Sequence, residues 1–210
     1  MGHIDVKGLK RATTGLPVDD VQVKNCRICT LANIKRLKFP KRSNTRADHP
    51  LFCIHSDICG PLPLGYGSFC YFIIFVDDHS RFITIYFLKQ KSDVLQCFHE
   101  FRLAVEKYLG YSISILRINN APELVSGDFK TYCKANGIVY EPSVPDASQQ
   151  NGVAERTIQI VECMLRAMLV DCNLPHWFWP LAAQACVHIK NRVPHSAVPA
   201  DRTPFECFLK

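Results

Sequence analysis

The stretch that decides the fold is Phe69-Cys70-Tyr71-Phe72-Ile73-Ile74-Phe75-Val76, an unbroken run of apolar and aromatic residues. A strand with this sequence is apolar on both faces, as expected of a central strand that is covered on two sides. The turn residues Asp77–Ser80 follow directly, and Phe82–Leu88 then resumes aromatic and β-branched residues. The two runs therefore predict a β-hairpin inside a sheet.

Strands and helices alternate on either side of this hairpin. The other predicted strands are Leu51–Asp57, Ile113–Ile118 and Ile138–Tyr140. The predicted helices are Val94–Tyr108 after a Ser92 N-cap, Asp128–Asn136, Gly152–Asp171, and a last helix that Pro175 opens and that reaches Ile189. This order predicts an α/β fold in which helices pack on a mixed five-stranded sheet.

The composition limits the class of protein. The chain has 210 residues, of which 48% are hydrophobic and 21% charged, and these values are typical of a globular domain rather than a disordered chain. The net charge of +6 is compatible with a nucleic-acid partner without requiring one. No run approaches the ~18 apolar residues of a membrane span, and the first residues carry no secretory signal. We therefore predict an intracellular protein without a membrane partner.

Eleven cysteines fit a reducing compartment rather than a disulfide framework. Only Cys26 and Cys29 have a spacing that suggests metal or redox chemistry. The others stand singly among apolar residues, and we expect them to be reduced thiols that act as small core hydrophobes. They are Cys53, Cys59, Cys70, Cys97, Cys133, Cys163, Cys172, Cys186 and Cys207.

Three polar residues are predicted at strand ends or at a helix start. Asp57 ends the first strand, Asn119 ends the fourth, and Glu155 lies one turn into the long helix. Polar groups at the carboxyl ends of adjacent strands converge on one crevice, where carboxylates bind hard cations. Spacing alone leaves a second interpretation open, because isolated acids are usually solvated and Glu155 suits the positive end of its helix.

Several longer motifs occur in a characteristic order. They are His55-Ser56-Asp57-Ile58-Cys59-Gly60-Pro61, Phe75–Arg81, Leu116–Glu123, Gln149-Gln150-Asn151-Gly152-Val153-Ala154-Glu155-Arg156, Asn173–Trp179 and Asn191-Arg192. Together they resemble the integrase core of Ty1/copia-type retrotransposon polyproteins, which shares its fold with retroviral integrases and ribonuclease H. The family has thirty-five residues between its second and third acids, and the same number lies between Asn119 and Glu155.

The resemblance implies a ribonuclease H-like fold and a catalytic set of Asp57, Asn119 and Glu155. In the family, three carboxylates at these positions hold two Mg²⁺ or Mn²⁺ ions for 3′-end processing and for strand transfer into target DNA. Asp57 and Glu155 are accordingly the expected metal ligands, whereas Asp77 and Asp78 match a structural turn. The resemblance further implies DNA binding, with RNA as an open alternative, multimers with other integrase chains, and a nuclear location.

Three departures from the family pattern bear on activity. Asn119 replaces the second aspartate, Ala121-Pro122 replaces two glycines, and Asp146–Ser148 replaces Tyr-Thr-Pro. An amide oxygen ligates metals but carries no charge, so cation binding is weakened. We therefore expect strand transfer to be lost or severely reduced unless Asp128 or Glu123 substitutes for the missing acid.

The first fifty residues differ from the rest of the chain. His3, Cys26 and Cys29 resemble three of the four ligands of the family's His-His-Cys-Cys zinc module. Three ligands leave two outcomes open, partial zinc binding or an unfolded module. The basic run that follows predicts either nucleic-acid contacts or a solvated loop. The residues predicted to bind nucleic acid are Lys35, Arg36, Lys38, Lys41, Arg42 and, in the core, Arg156.

These observations predict a chain with several segments. They are a truncated zinc-binding module at 1–34, a basic linker at 35–50, an integrase core at 51–170 and a truncated helical extension at 171–210. Both ends are expected to be cuts from a longer polyprotein. The favoured function is that of an integrase core with doubtful activity. The alternatives are a non-catalytic module that binds nucleic acid or a partner integrase, and a fragment without a selected function.

Overall fold

One mixed sheet of five strands organises the computed structural model, which describes residues 46–119, 127–143 and 151–209. The strands are β1 Cys53–Cys59, β2 Tyr71–Asp77, β3 Ile83–Leu88, β4 Ile115–Ile118 and β5 Val139–Pro142, in the order β3-β2-β1-β4-β5. The pairs β1–β2 and β2–β3 are antiparallel, whereas β1–β4 and β4–β5 are parallel. The predicted mixed sheet and its hairpin are confirmed.

The apolar run in β2 serves both faces of this sheet. Phe72, Ile74 and Val76 belong to one buried cluster, whereas Ile73 and Phe75 belong to another. Side chains alternate between the two faces of a strand, so a continuous apolar run fills two cores at once. Burial of each such side chain contributes about 1.5–3 kcal/mol to the driving force for folding.

Five α-helices of the described residues cover the two faces. They are α1 Val94–Leu109, α2 Gly127–Ala135, α3 Gly152–Asp171, α4 Trp179–Arg192 and α5 Pro204–Leu209. The cluster around Phe75 joins α1, α2 and α5 to one face, and the cluster around Phe72 joins α3 and α4 to the other. Within the described ranges, no helix combines the length and the apolar character that crossing a bilayer would require.

The predicted N-cap of α1 and the predicted start of the last long helix are wrong. Ser92 does not cap α1, because it lies inside a 3-10 turn and α1 begins after Asp93. The backbone N–H of Gln90 donates to Asp93 Oδ2 at 3.1 Å, and this bond closes the turn instead. Likewise, Pro175 precedes a second 3-10 turn, and α4 begins only at Trp179.

The prediction for the lone cysteines is confirmed for only part of the set. Cys53, Cys59, Cys133 and Cys186 are buried, and the cysteines of the described residues are all free thiols. Cys70, Cys97 and Cys207 are half-buried. The prediction is wrong for Cys163 and Cys172, which are exposed because the first faces outward from α3 and the second follows its last turn.

The carboxylate of Asp77 organises the turn between β2 and β3. Its Oδ2 accepts hydrogen bonds from the backbone N–H and the hydroxyl of Ser80, both at 2.6 Å. Its Oδ1 accepts the backbone N–H of Leu51 at 2.8 Å, which draws the segment before β1 onto the turn. These bonds are consistent with the structural role predicted for this residue.

The neighbouring carboxylate of Asp78 is the centre of a second buried network. Its Oδ1 lies 2.9 Å from His55 Nε2 and accepts Arg81 Nη1 at 2.8 Å, while Oδ2 accepts the backbone N–H of Ala47 at 2.8 Å. Burial alone would raise the pKa of Asp78. The hydrogen bonds from His55 and Ala47 and the positive charge of Arg81 outweigh burial and hold this pKa well below its ordinary value.

The substitution Asp78→Asn should lower the free energy of unfolding by about 3 kcal/mol near pH 7, because it removes one member of a buried charged network. A carboxyl group with a depressed pKa stabilises the folded state above its unfolded pKa of about 3.9, and this contribution is lost as the pH falls below that value. Urea unfolding between neutral pH and about pH 3 should therefore show the difference between wild type and variant shrinking as the pH falls.

Asp48→Asn is the matched control, since the Asp48 side chain is 87% exposed and its ion pair is with the neighbouring His49. We expect this control to unfold like the wild type at neutral pH. A similar loss of stability in both variants would contradict the role given to the Asp78 network.

Candidate active site

The parallel pairing of β1 with β4 sets Ser56 beside Ile118, so the following residues, Asp57 and Asn119, are neighbours. The Asn119 amide nitrogen donates to Asp57 Oδ1 at 3.4 Å, a long hydrogen bond. Ser143, which follows β5, donates its hydroxyl to Asn119 Oδ1 at 3.2 Å. The amide oxygen of Asn119 is therefore engaged by a hydroxyl group, and its N–H is directed at the carboxylate.

The first turn of α3 brings Glu155 to the same place. Asn151 Nδ2 donates to the carbonyl of Ser56 at 2.8 Å, which ties the residue before α3 to the residue before Asp57. Glu155 is half-buried, and its pKa is raised first by burial and then by the negative charge of Asp57. We refer to the group formed by Asp57, Asn119, Ser143 and Glu155 as the Asp57 pocket.

Burial dominates the electrostatics of Asp57, which is 8% exposed. Burial raises the pKa of this carboxyl group, while hydrogen bonds from the backbone N–H of Ile58 and from Asn119 act in the opposite direction. The Ile58 bond is 2.8 Å long and ends on the same Oδ1 atom that Asn119 contacts. One oxygen of the carboxylate is thus already held by two N–H donors.

A cavity of about 560 Å³ opens beside the Asp57 pocket, at the carboxyl ends of β4 and β5. Two of its lining residues form a hydrogen bond, in which Arg117 Nε donates to Glu141 Oε2 at 2.7 Å. This bond agrees with the pairing of the two residues in the sheet. The residues that line the cavity are Arg117, Ile118, Tyr140, Glu141, Pro142, Ser143 and Asn151.

The described residues do not fit the two-metal centre that the resemblance implies. Asn119 presents an N–H group, not an oxygen, to Asp57. Two divalent cations carry four positive charges, whereas Asp57 and Glu155 together supply at most two negative ones. Over the described ranges, no group of three or more His, Cys, Asp or Glu side chains is arranged to hold a metal ion.

The other predicted site residues are placed as follows. Arg156 is exposed on α3, next to Glu155. Asp128, named above as a substitute ligand, is exposed in the first turn of α2. The zinc ligands, the basic linker residues and Glu123 lie outside the described residues: His3, Cys26, Cys29, Lys35, Arg36, Lys38, Lys41, Arg42 and Glu123.

Two residues that hold the Asp57 pocket in place were not predicted. Asn151 is 1% exposed and anchors α3 to β1, although nothing in its sequence motif distinguishes an anchor from a ligand. Ser143 reaches Asn119 only because β5 runs parallel to β4, so its role depends on a pairing that the sequence does not encode locally.

The sequence of this chain matches one protein family and several known proteins. The integrase core domain family matches residues 47–148. The retrovirus-related Pol polyprotein from transposon TNT 1-94 of Nicotiana tabacum is 36% identical over 198 residues, which make up 92% of this chain and 15% of that polyprotein. The chain thus spans about a seventh of the length of this relative.

Two solved structures share the fold. A chain of the simian T-cell lymphotropic virus intasome superposes with a TM-score of 0.67 at 19% identity, covering 92% of this chain and 68% of that one. The HTLV-2 integrase catalytic core domain in complex with magnesium superposes with a TM-score of 0.56 at 20% identity, covering 78% of this chain and 98% of that one.

The substitution Asn119→Asp should destabilise the metal-free protein by about 2 kcal/mol near pH 7, because two carboxylates in contact raise each other's pKa. A raised carboxyl pKa costs stability above that pKa, so the loss should shrink as the pH is lowered through the raised values. Urea unfolding in EDTA between pH 7 and about pH 4 measures both effects.

The double variant Asp57→Asn/Asn119→Asp keeps a single carboxylate in this contact and serves as the control. Its stability should return toward that of the wild type. Equal destabilisation of the single and the double variant would show that charge repulsion is not the cause.

Proposed function

Residues 47–148 belong to the integrase core domain family, as the resemblance to Ty1/copia-type integrases predicted, and on that premise we propose that the chain serves DNA integration with impaired strand transfer. The predicted ribonuclease H-like architecture is confirmed by the fold shared with retroviral integrase cores. The proposed setting is the assembly that joins retrotransposon DNA to target DNA in the nucleus.

One observation carries the proposed impairment, the hydrogen bond from the Asn119 amide to Asp57. In the family, the residue at this position is an aspartate that shares metal ligation with the first acid. Here Asn119 directs an N–H donor at that carboxylate. The raised pKa values of Asp57 and Glu155 also mean that their negative charge is costly to maintain in the pocket.

The proposed affinity for Mg²⁺ or Mn²⁺ is accordingly weak, with Asp57 and Glu155 as the remaining ligands. The HTLV-2 core that shares the fold was solved in complex with magnesium. Compared with a three-carboxylate site, this pocket has lost one formal charge, and the electrostatic attraction for each cation falls with it.

Nucleic-acid binding is the second part of the proposal. Arg156 is exposed on α3, next in sequence to Glu155, and is therefore accessible to a DNA phosphate. From their sequence alone, the basic linker residues Lys35, Arg36, Lys38, Lys41 and Arg42 are also proposed to bind nucleic acid. Such contacts bind phosphates and not base edges, so the affinity should depend on salt and not on sequence.

The N-terminal residues enter the proposal through their sequence alone. We propose that His3, Cys26 and Cys29 form an incomplete zinc site in a module at 1–34, followed by a linker at 35–50 and a core at 51–170. The fold relatives include an intasome and a core described in dimeric form. By analogy, we propose that this chain also joins multimers of integrase chains.

A non-catalytic assembly role is the competing function, and the same Asn119–Asp57 bond favours it. A core that is held together without a cation still offers its surfaces to DNA and to partner chains. The two functions differ in one respect, which is whether restoring the second acid restores chemistry.

Asn119→Asp should bind Mn²⁺ at least ten-fold more tightly than the wild type, equivalent to about 1.4 kcal/mol, as measured by calorimetric titration. The same variant should gain strand-transfer activity on a labelled DNA duplex with Mn²⁺, whereas the wild type should show little or none. The double variant Asn119→Asp/Glu155→Gln is the control, and it should lose both gains.

Strand transfer by the wild type at the rate of Asn119→Asp would overturn the proposed impairment. If Asn119→Asp binds Mn²⁺ more tightly but stays inert, the asparagine is not the cause of inactivity. The non-catalytic assembly role would then be the better account of the chain.

A further inference from the structure

Four segments converge at the end of the sheet where β1 begins, away from the Asp57 pocket. The end of α4 is fixed there, because Asn191 accepts the Ile83 N–H through Oδ1 and donates to the Ile83 carbonyl through Nδ2, both at 2.8 Å. Arg46 donates from Nε to the carbonyl of Asp78 at 3.3 Å and from its other end to the carbonyl of His79. The loop that follows α4 contributes His195.

Positive charge accumulates at this end. Arg46 and Arg81 both bond to Asp78, and the pKa of His195 is lowered first by its burial and then by the positive charges of Lys190, Arg81 and Arg46. Arg192, in the last turn of α4, lies over the ring of Phe205, which packs near Phe82, the neighbour of Arg81. We call this group the cationic face: Arg46, Arg81, Lys190, Arg192 and His195.

Two buried carboxylates near the cationic face offset part of its charge, because Asp78 pairs with Arg81 and both Asp77 and Asp78 attract Arg46. Asp77 is buried and bonds to Leu51 and Ser80, while Asp78 is shared by His55, Arg81 and Ala47. Arg81 is thus paired, but no ion pair within the described part of the chain involves Lys190, Arg192 or Arg46. The sequence supports this segregation, since no acidic residue occurs between positions 172 and 200.

Helix geometry accounts for only part of this arrangement. Cations in a last turn interact favourably with the negative end of the helix, and Arg192 Nη1 donates to the carbonyl of His188 at 3.2 Å. That argument does not apply to Arg46 or His195, which reach the same place from other segments. A polyanionic ligand explains why cations from separate segments are gathered together.

We propose that the cationic face binds the phosphate backbone of duplex DNA, at a site separate from the Asp57 pocket. The proposal rests on the DNA-integration function given above. Ile54 pairs with Asp77 and lies three residues before Asp57, so the turn below the face is about 10 Å from Asp57 along the strand. A duplex is wide enough to contact both places.

The chemistry of the face favours duplex DNA over unpaired bases. Single strands are held by aromatic platforms, but the rings here pack on each other or under a cation. Phe82 stacks on Phe208 with 4.4 Å between ring centroids, and the Arg192 guanidinium lies 4.5 Å above the ring of Phe205. His195 Nδ1 accepts the Ala197 N–H at 3.0 Å, which leaves the Nε2–H of the ring as a donor for a phosphate oxygen.

The test uses the full chain in EDTA, so that the metal chemistry of the Asp57 pocket has no influence. Fluorescence anisotropy would measure binding of a short duplex of arbitrary sequence between about 50 and 200 mM NaCl. For Lys190→Gln/Arg192→Gln, the slope of log K against log salt should decrease by about 2, because each lost phosphate contact removes about 0.9 from the slope.

Lys107→Gln/Lys134→Gln is the matched control, because both lysines are exposed and stand in the last turns of α1 and α2. It removes the same charge and should leave the slope unchanged. Lys190→Arg/Arg192→Lys keeps the charge and should bind like the wild type, and thermal unfolding checks that all variants are folded.

Equal losses in the test and control pairs would reduce the effect to net charge and overturn the proposal. An unchanged slope for Lys190→Gln/Arg192→Gln would do the same. Tighter binding of a single-stranded RNA of equal length would refute the preference for duplex DNA. None of these outcomes bears on strand transfer by Asn119→Asp, so failure of this proposal can be distinguished from failure of the proposed function.

Discussion

The register between β1 and β4 is the constraint on which the pocket depends. Ser56 pairs with Ile118, and this pairing alone makes Asp57 and Asn119 neighbours, although they are far apart in the sequence. Side chains of a strand alternate between faces, so a slip of one residue would turn Asp57 away from α3. The apolar residues of β2 secure β1 from the other side, because both of their faces are buried.

Asn119 lacks the negative charge of an aspartate, but its amide forms hydrogen bonds that stabilise the ends of the strands. An aspartate at this position would repel Asp57 in the absence of a cation, and the pocket would depend on metal for its cohesion. The amide instead donates to Asp57 and accepts from Ser143, so the strand ends are joined by neutral groups. The asparagine makes this hydrogen bond possible, but it lacks the negative charge on which a two-metal centre depends.

Much of the fold was predictable from the sequence, because apolar periodicity reports burial directly. The run in β2 and the apolar stripe of α3 are examples, since each names the face that packs. The start of α4 was not predictable, because Pro175 is equally compatible with a 3-10 turn and with a helix. In the pocket, the motif order indicated Asp57, Asn119 and Glu155. The anchoring role of Asn151 depends on a tertiary contact with Ser56 that no local pattern contains.

We infer that holding DNA and reacting with it depend on different residues, which lie towards the two ends of β1. The Asp57 pocket, at one end, holds an amide and two carboxylates with raised pKa values, and we propose that it binds cations only weakly. The cationic face, at the other end, has four groups that stay charged without metal, Arg46, Arg81, Lys190 and Arg192, and we propose that its attraction for phosphate depends on salt. We therefore infer that a single substitution in the pocket would alter catalysis without changing the residues proposed to bind the DNA backbone. The proposed interactions of the Asp57 pocket and of the cationic face share β1 but no side chain. A core that lacks the second acid would therefore still bind DNA.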